Sequence, residues 1–466
     1  MNDVKKIKEV FDDRITESFD TEYEVLLPGL NEDIVKEISR VKNEPEWMEA
    51  VRLKSLEIFK KKRDPQFGPT LEEIDYDKVV AYARPGAKKA RSWDEVPDEI
   101  KEAFDKLGIP EAERKILAGV EAQLDSEVVY SHVKKVFDKL GIIFTDMDNA
   151  IKKYPDLVKD HFMRIVPPTD HKFAALHGAL WSGGTFLYVP KGVKVPMPLQ
   201  SFFMVNLPSM GQFEHTIIIV DEGAQATYIE GCSAPLYGVH NLHAGVVEVY
   251  VKRGAKLKYL TIQNWSKSVF NMETKRAIVE KDGTMEWISA SFGSYKSMVY
   301  PSVILKGENS HANVISVSLT GKGQHIDAGT KVYHMAPRTT STISSKGISM
   351  AGGWSVFRAL LRISKGAKGA KASVECTSVM MDNESRSDTI PILEILEQDS
   401  DVGHEAKIGR ISDEEIFYLM SRGLSEMEAK TLIIRGFMEP VIEELPLEYA
   451  IEINRLISME VEGSVG

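Results

Sequence analysis

Thr216-Ile217-Ile218-Ile219-Val220, then Asp221-Glu222-Gly223, then Ala226-Thr227-Tyr228-Ile229 reads as an apolar strand, a tight polar turn and a second strand. The unit recurs. Val246-Val247-Glu248-Val249-Tyr250-Val251 runs into Gly254-Ala255 and leaves through Leu257-Lys258-Tyr259-Leu260. Arg276-Ala277-Ile278-Val279 runs into Asp282-Gly283 and leaves through Met285-Glu286-Trp287-Ile288. Ser302-Val303-Ile304-Leu305 leads to Glu308-Asn309, and further turns fall at Lys191-Gly192, Pro337-Arg338, Gly366-Ala367 and Asp399-Ser400. Their spacing is roughly 25 to 34 residues, averaging about 30. Such a unit cannot bury its apolar face alone, so it stacks on the next. The pattern therefore predicts a mainly β chain built on a parallel β-helix of about eight coils over 166–410. An antiparallel sandwich is the competing architecture, but its turns come about every 8–12 residues.

Working outward, residues 1–165 read as mostly helical. Asn31 can cap a helix through Ile34, Val35 and Ile38, and Pro45 stands where another begins, before Trp47 and Met48. Pro97 and Gly108-Ile109-Pro110-Glu111 mark further starts. The basic runs Lys60-Lys61-Lys62-Arg63 and Lys88-Lys89-Ala90-Arg91 read as solvated linkers. From 411 to 466, Glu414 to Met420, Glu426 to Ile434 and a segment opened by Pro446 read as helices, with stops at Arg422-Gly423 and Arg435-Gly436. They would cap the solenoid or dock a partner, since a solenoid end needs covering.

Composition narrows the classes. Hydrophobic residues at 43% and charged residues at 27% describe an ordinary globular chain. No apolar run approaches the length of a membrane-spanning helix, and no apolar stretch follows Met1-Asn2-Asp3-Val4-Lys5-Lys6, so neither membrane insertion nor export is expected. The net charge of −11 speaks against nucleic acid as the partner. Two cysteines give no disulfide framework and fit a reducing cytoplasm.

Those cysteines are the residues of chemical interest. Cys376 lies 29 residues before Glu405, close to one repeat, so the thiol and the His404-Glu405 pair would sit on neighbouring coils. A thiolate, a carboxylate and an imidazole suit iron, but a stable cluster usually takes four thiolates, so such a site would be shared or transient. Cys232, in Glu230-Gly231-Cys232-Ser233-Ala234-Pro235, falls where a strand gives way to a loop. Buried inert thiols are the plainer reading of both. Thr261, Gln263 and Trp265 share one strand face by their period of two, with Trp265 as packing. Lys275 reads as a solvated strand-edge charge, and His240 and His243 as surface or turn residues too close together to chelate on a strand. No CxxC, GxSxG or P-loop occurs, which leaves no zinc finger, no hydrolase elbow and no nucleotide site.

Taken in order along nearly the whole chain, certain segments resemble the SufB family of iron–sulfur cluster assembly proteins. Among them are Glu44-Pro45-Glu46-Trp47, Ser92-Trp93-Asp94, Asp125-Ser126-Glu127-Val128-Val129-Tyr130 and Lys172-Phe173-Ala174-Ala175-Leu176. Others are Tyr228-Ile229-Glu230-Gly231-Cys232, Gln263-Asn264-Trp265, Ser345-Lys346-Gly347-Ile348-Ser349 and Glu444-Leu445-Pro446-Leu447-Glu448. The resemblance implies a right-handed parallel β-helix between helical regions. It implies an assembly scaffold rather than an enzyme, with ATP hydrolysed by a SufC partner docked on the C-terminal helices. Pairing through the β-helix would be with SufD or a second SufB, and sulfur would come from a cysteine desulfurase system. Cys232 matches a sulfur acceptor, and Gln263, Trp265 and Lys275 match positions along a path. Cys376 and Glu405, with His404 beside them, match ligands of a nascent 4Fe-4S or 2Fe-2S cluster; reduced flavin is a possible further cofactor. Met204 departs from a frequent arginine, which removes a cation expected on that path, and Gly403 replaces a common acidic residue. A SufD-like structural subunit is the alternative, with a β-helix polysaccharide-active enzyme a distant third.

Overall fold

The computed structural model describes residues 22–86, 119–133, 137, 139–443, 454 and 457. Its centre is a parallel β-solenoid of about eight turns. One long sheet stacks Gly119–Leu124, Leu199–Met204, Gln225–Ser233, Lys256–Trp265, Thr284–Gly293, His311–Thr320, Thr340–Ser349, Ala370–Met380 and Ser400–Arg410, all in parallel. A second sheet faces it, built from the other strand of each repeat, including His215–Val220, Val246–Val251, Thr274–Val279 and Ser302–Leu305. The corners are the turns expected from the sequence. Gly192, Gly223, Gly254, Asp282, Asn309, Arg338 and Gly366 have φ between 55° and 91°. That left-handed geometry costs a glycine little and suits Asn and Asp better than most other residues. The corners also stack through their own backbone, as in Gly223 N–H to Arg253 O at 2.9 Å.

Between the sheets, like residues pile on like. Val220, Val251, Val279 and Leu305 form one column and Tyr228, Tyr259, Trp287, Val314, Ile343 and Val374 another, all buried. Each such side chain contributes about 1.5–3 kcal/mol by leaving water. The opening run is apolar from Ile217 to Val220 because both faces are covered. Ile218 and Val220 point into the solenoid, while Ile217 and Ile219 pack among Trp181, Phe186 and Val158. On the other sheet, Ile229, Leu260, Ile288 and Leu319 face outward and are covered by Ile416, Ala429, Ile434 and Met438 from the C-terminal helices.

The two ends differ. Antiparallel strands close the first: Glu127–Val133 against Gly119–Leu124, and Ile143–Asp146 against Thr185–Val189. The last strands, Arg386–Ile395 and Ser400–Arg410, each pair on one side only among the described residues. They leave Ile392, Leu393, Ile395, Leu396 and Ile408 exposed.

The flanks correct the sequence reading in places. Asn31 caps Glu32–Lys42, accepting from Ile34 N–H at 3.0 Å, and Pro45 precedes Glu46–Lys61, as expected. Before residue 165, however, helices alternate with strands, including Tyr23–Pro28 and Val80–Pro85, which pair with each other. Lys60 and Lys61 are the last turn of a helix rather than a linker, where cations complement the C-terminal dipole. The starts at Pro97 and Gly108, the run Lys88–Arg91 and the Pro446 segment lie outside the described residues. The helix from Glu426 continues through Gly436 to Ile442, because Met438 and Ile442 bury on the same face as Ile434.

Candidate functional site

Two adjacent columns line the interior of the long sheet and differ from the rest of the core in being polar. The first runs Glu230, Thr261, Ser289, Ser316, Ser345, Cys376. The second runs Cys232, Gln263, Ser291, Ser318, Gly347, Ser378. The two cysteines therefore stand at opposite ends of neighbouring columns, five strand-to-strand steps apart, or about 24 Å at the usual interstrand spacing. Small hydroxyl side chains leave room between them. A narrow cavity of about 40 Å³ runs from Gln263, Glu273 and Lys275 to Ser345, Gly347 and Ser378. It reaches the register partner of each cysteine, and it is wide enough for a few water-sized species.

Cys232 ends its strand inside the solenoid at 1% exposure. The glycine before it is required by packing: a Cβ at Gly231 would lie 2.5 Å from the Phe202 ring, its register partner. Burial pushes the Cys232 thiol well above its usual range, and the carboxylates of Glu230, Glu273 and Glu214 push it further, while Lys275 opposes them. Lys275 is 2% exposed, not a solvated edge charge. Its ammonium donates to Glu230 at 2.5 Å and to Thr261 at 2.9 Å, and stands 3.0 Å from Glu273. Burial alone would discharge it; those two carboxylates hold it charged. Gln263 Nε2 donates to Glu273 at 2.6 Å, and Trp265 packs on the His243 ring at 4.6 Å between centroids. Gln263, Trp265, Lys275 and Cys232 thus share one buried region. Met204 does not join them. Phe203 is the register partner of Cys232, and Met204 pairs with Ser233 on the other face.

Cys376, also 1% exposed, points inward, 3.4 Å from the Thr389 hydroxyl. Burial raises its thiol, and the Thr389 and Ser378 hydroxyls partly offset this. The neighbouring coil does carry Glu405 and His404, but the register sets Cys376 against Ala406 and Glu405 against Glu375. Alternation therefore turns Glu405 to the outer face, where it is 60% exposed and 2.8 Å from Lys407. His404, in register with the inward Val374, is on the Cys376 side of the strand and exposed at the open end.

Sequence reading missed the acidic half of the first pocket. His243 is fully buried rather than at the surface, with Nε2 2.5 Å from Glu214 Oε1. Burial would lower its pKa, but Glu214 outweighs this and brings it up to about 9. The signal was present: Glu214 and His243 are 29 residues apart, the same one-repeat spacing as Cys376 and Glu405.

Comparison with known proteins gives matches along the chain. The family described as "SUF system FeS cluster assembly, SufBD core domain" matches residues 202–437, and "SufBD protein N-terminal region" matches 32–201. The iron–sulfur cluster assembly protein SufB of Bacillus subtilis is 51% identical over 466 residues, covering 100% of this chain and 99% of its own. SufBD family proteins of Staphylococcus haemolyticus and Staphylococcus aureus are 51% identical over 438 residues, 94% of each chain.

Proposed function

Because the chain belongs to the SufBD family of iron–sulfur cluster assembly proteins, we propose that it is the scaffold subunit that takes sulfur at Cys232 and builds the nascent cluster at Cys376. The observation that carries this is the pair of polar interior columns with a cysteine at each end and a cavity between. Attack by the Cys232 thiolate on a donor persulfide breaks the donor's S–S bond, forms the Cys232 persulfide and returns the donor thiol. The chain has no third cysteine to relay it. The sulfur that crosses must therefore be a free species: two electrons and two protons convert the persulfide anion to thiol and hydrosulfide. A reduced flavin is a suitable donor of those electrons. The serine hydroxyls then offer hydrogen bonds along the way, as Ser316 does to Ser345 at 3.0 Å.

Cys376 lies one strand from the open end, whose unpaired edges and exposed Ile392, Leu393 and Ile408 favour pairing with a SufD-type subunit or a second copy. Glu405 faces away from Cys376 within one chain, so a shift of the last strand on pairing would complete the ligand set with His404. A SufC-type ATPase bound to Asp413–Ser421 and Glu426–Ile442 would drive that shift. Exposed Phe417, Tyr418, Met420, Met427 and Leu432 support docking there. No described helix is long and apolar enough to cross a membrane, and this reading places the protein in the cytoplasm, with both thiols reduced. Anaerobic reconstitution with ferrous iron and a radiolabelled persulfide donor tests it. Cys376→Ala should keep label on Cys232 and lose cluster absorbance, and Cys232→Ser should lose both. Normal cluster yield from Cys376→Ala overturns the assignment and leaves a structural, SufD-like role.

A further inference from the structure

The pocket beside Cys232 holds a constellation that sulfur handling does not use. Glu214, His243 and Glu273 each offer one ligand atom, and these atoms lie within 4.8 Å of one another. The residues are 1%, 0% and 2% exposed. We propose that they form a binding site for one divalent first-row metal ion, ferrous iron in the working protein. Only the identity of that ion rests on the cluster-assembly reading.

Several independent features point to a ligand. Glu214 Oε2 is buried and has no hydrogen-bond partner among the described residues, an expensive arrangement unless something binds it. The outer hydrogen bonds are those of a metal site. His243 Nδ1–H donates to Asn271 Oδ1 at 2.8 Å, which turns Nε2 toward Glu214 Oε1, where a metal would take the place of the proton those two atoms share. Asn271 Nδ2 donates to Gln263 Oε1 at 2.8 Å, and Gln263 Nε2 donates to Glu273 Oε2 at 2.6 Å, so one relay orients two of the three ligands. Gly245 cradles the site: a Cβ there would lie 2.3 Å from Glu214 Oε1 and 3.1 Å from His243 Nε2.

Charge agrees. Three carboxyl groups, of Glu214, Glu230 and Glu273, share the pocket with the Lys275 ammonium and the His243 ring, so even with that ring protonated the carboxyl groups outnumber the cations. Two carboxylates and an imidazole suit Fe(II), Mn(II) or Zn(II), not the soft Cu(I). Glu273 also lines the interior cavity, so an ion here sits at the head of the passage toward Cys376.

The test is anaerobic titration of the full chain with Co2+, read by visible absorption and equilibrium dialysis. One equivalent should bind with nitrogen- and oxygen-type bands, and it should bind equally to the Cys232→Ser/Cys376→Ala double variant, which can build no cluster. Glu214→Gln and His243→Gln, folded by circular dichroism, should lose it, and Asn271→Leu should weaken it about 10–100-fold. A second readout needs no variant: Mn2+ in the unaltered protein should show nitrogen hyperfine coupling from one imidazole. Absence of stoichiometric Co2+ binding, binding that survives both ligand variants, dependence on either cysteine, or absence of that coupling overturns the proposal. Failure of the sulfur route would leave all these readouts unchanged.

Discussion

Replacing Lys275 with methionine should destabilise the protein, and more at alkaline than at acidic pH. Its ammonium is 2% exposed and stands 2.5 Å from Glu230 and 3.0 Å from Glu273, both buried. Methionine fills similar space but leaves two carboxylates in the core without their cation. Breaking a buried pair from one side costs about 3–5 kcal/mol. At an unfolding entropy of about 2.1 cal/mol/K per residue, the roughly 400 described residues give about 0.85 kcal/mol/K, so Tm should fall by roughly 4–6 °C. Burial already raises the Glu230 carboxyl, with Lys275 acting against it, so its loss raises that pKa further. A carboxyl raised in the folded state binds more protons there than in the unfolded chain, so stability falls as pH climbs from about 4.3 toward the raised value. The loss relative to wild type should therefore be smaller near pH 5 than near pH 8, and Glu230→Gln in the same chain should restore part of it. Differential scanning calorimetry at both pH values measures this. An unchanged Tm, or a larger loss at pH 5, would refute the ion-pair account.

Other consequences follow from the same geometry. Ser316→Leu, midway along the first polar column, should obstruct the cavity. Radiolabel should still reach Cys232 while cluster formation falls at least tenfold; unchanged cluster yield would remove the passage from the mechanism. Gly231→Ala drives a methyl to 2.5 Å from Phe202, an overpacking worth about 1–3 kcal/mol, visible as a lower Tm and reduced labelling of Cys232. Ile392→Asp on the open edge removes a half-exposed side chain whose remaining burial is worth about 0.8–1.5 kcal/mol, so sedimentation should show roughly 4–10-fold weaker pairing with the partner subunit. Equal affinity would locate the interface elsewhere.

The solenoid was legible because its cause is local and repeated. Most corners use a left-handed residue, and most strands present an apolar inner side, so turn spacing and composition carry the coil length directly. The grouping of Thr261, Gln263 and Trp265 followed from alternation alone, and the one-repeat spacing put Cys376 and Glu405 on adjacent coils. What failed was the assumption that adjacent coils mean adjacent side chains. Register is off by one for that pair, and a one-residue offset moves a side chain to the opposite face. Lys275 and His243 were misread for a related reason. A charge inside a solenoid looks like any strand-edge charge until its partners, a whole coil away, are seen beside it.

The sequence by itself thus determined the coil and its length and the family, because these depend on local backbone preference and residue type. Only the tertiary structure decided which residues share the interior. Stacking superposes positions about 30 residues apart, and a single residue of register separates a ligand facing the cavity from one facing water. That is why Glu214, His243 and Glu273 converge beside Cys232, while Glu405 stands on the outer face.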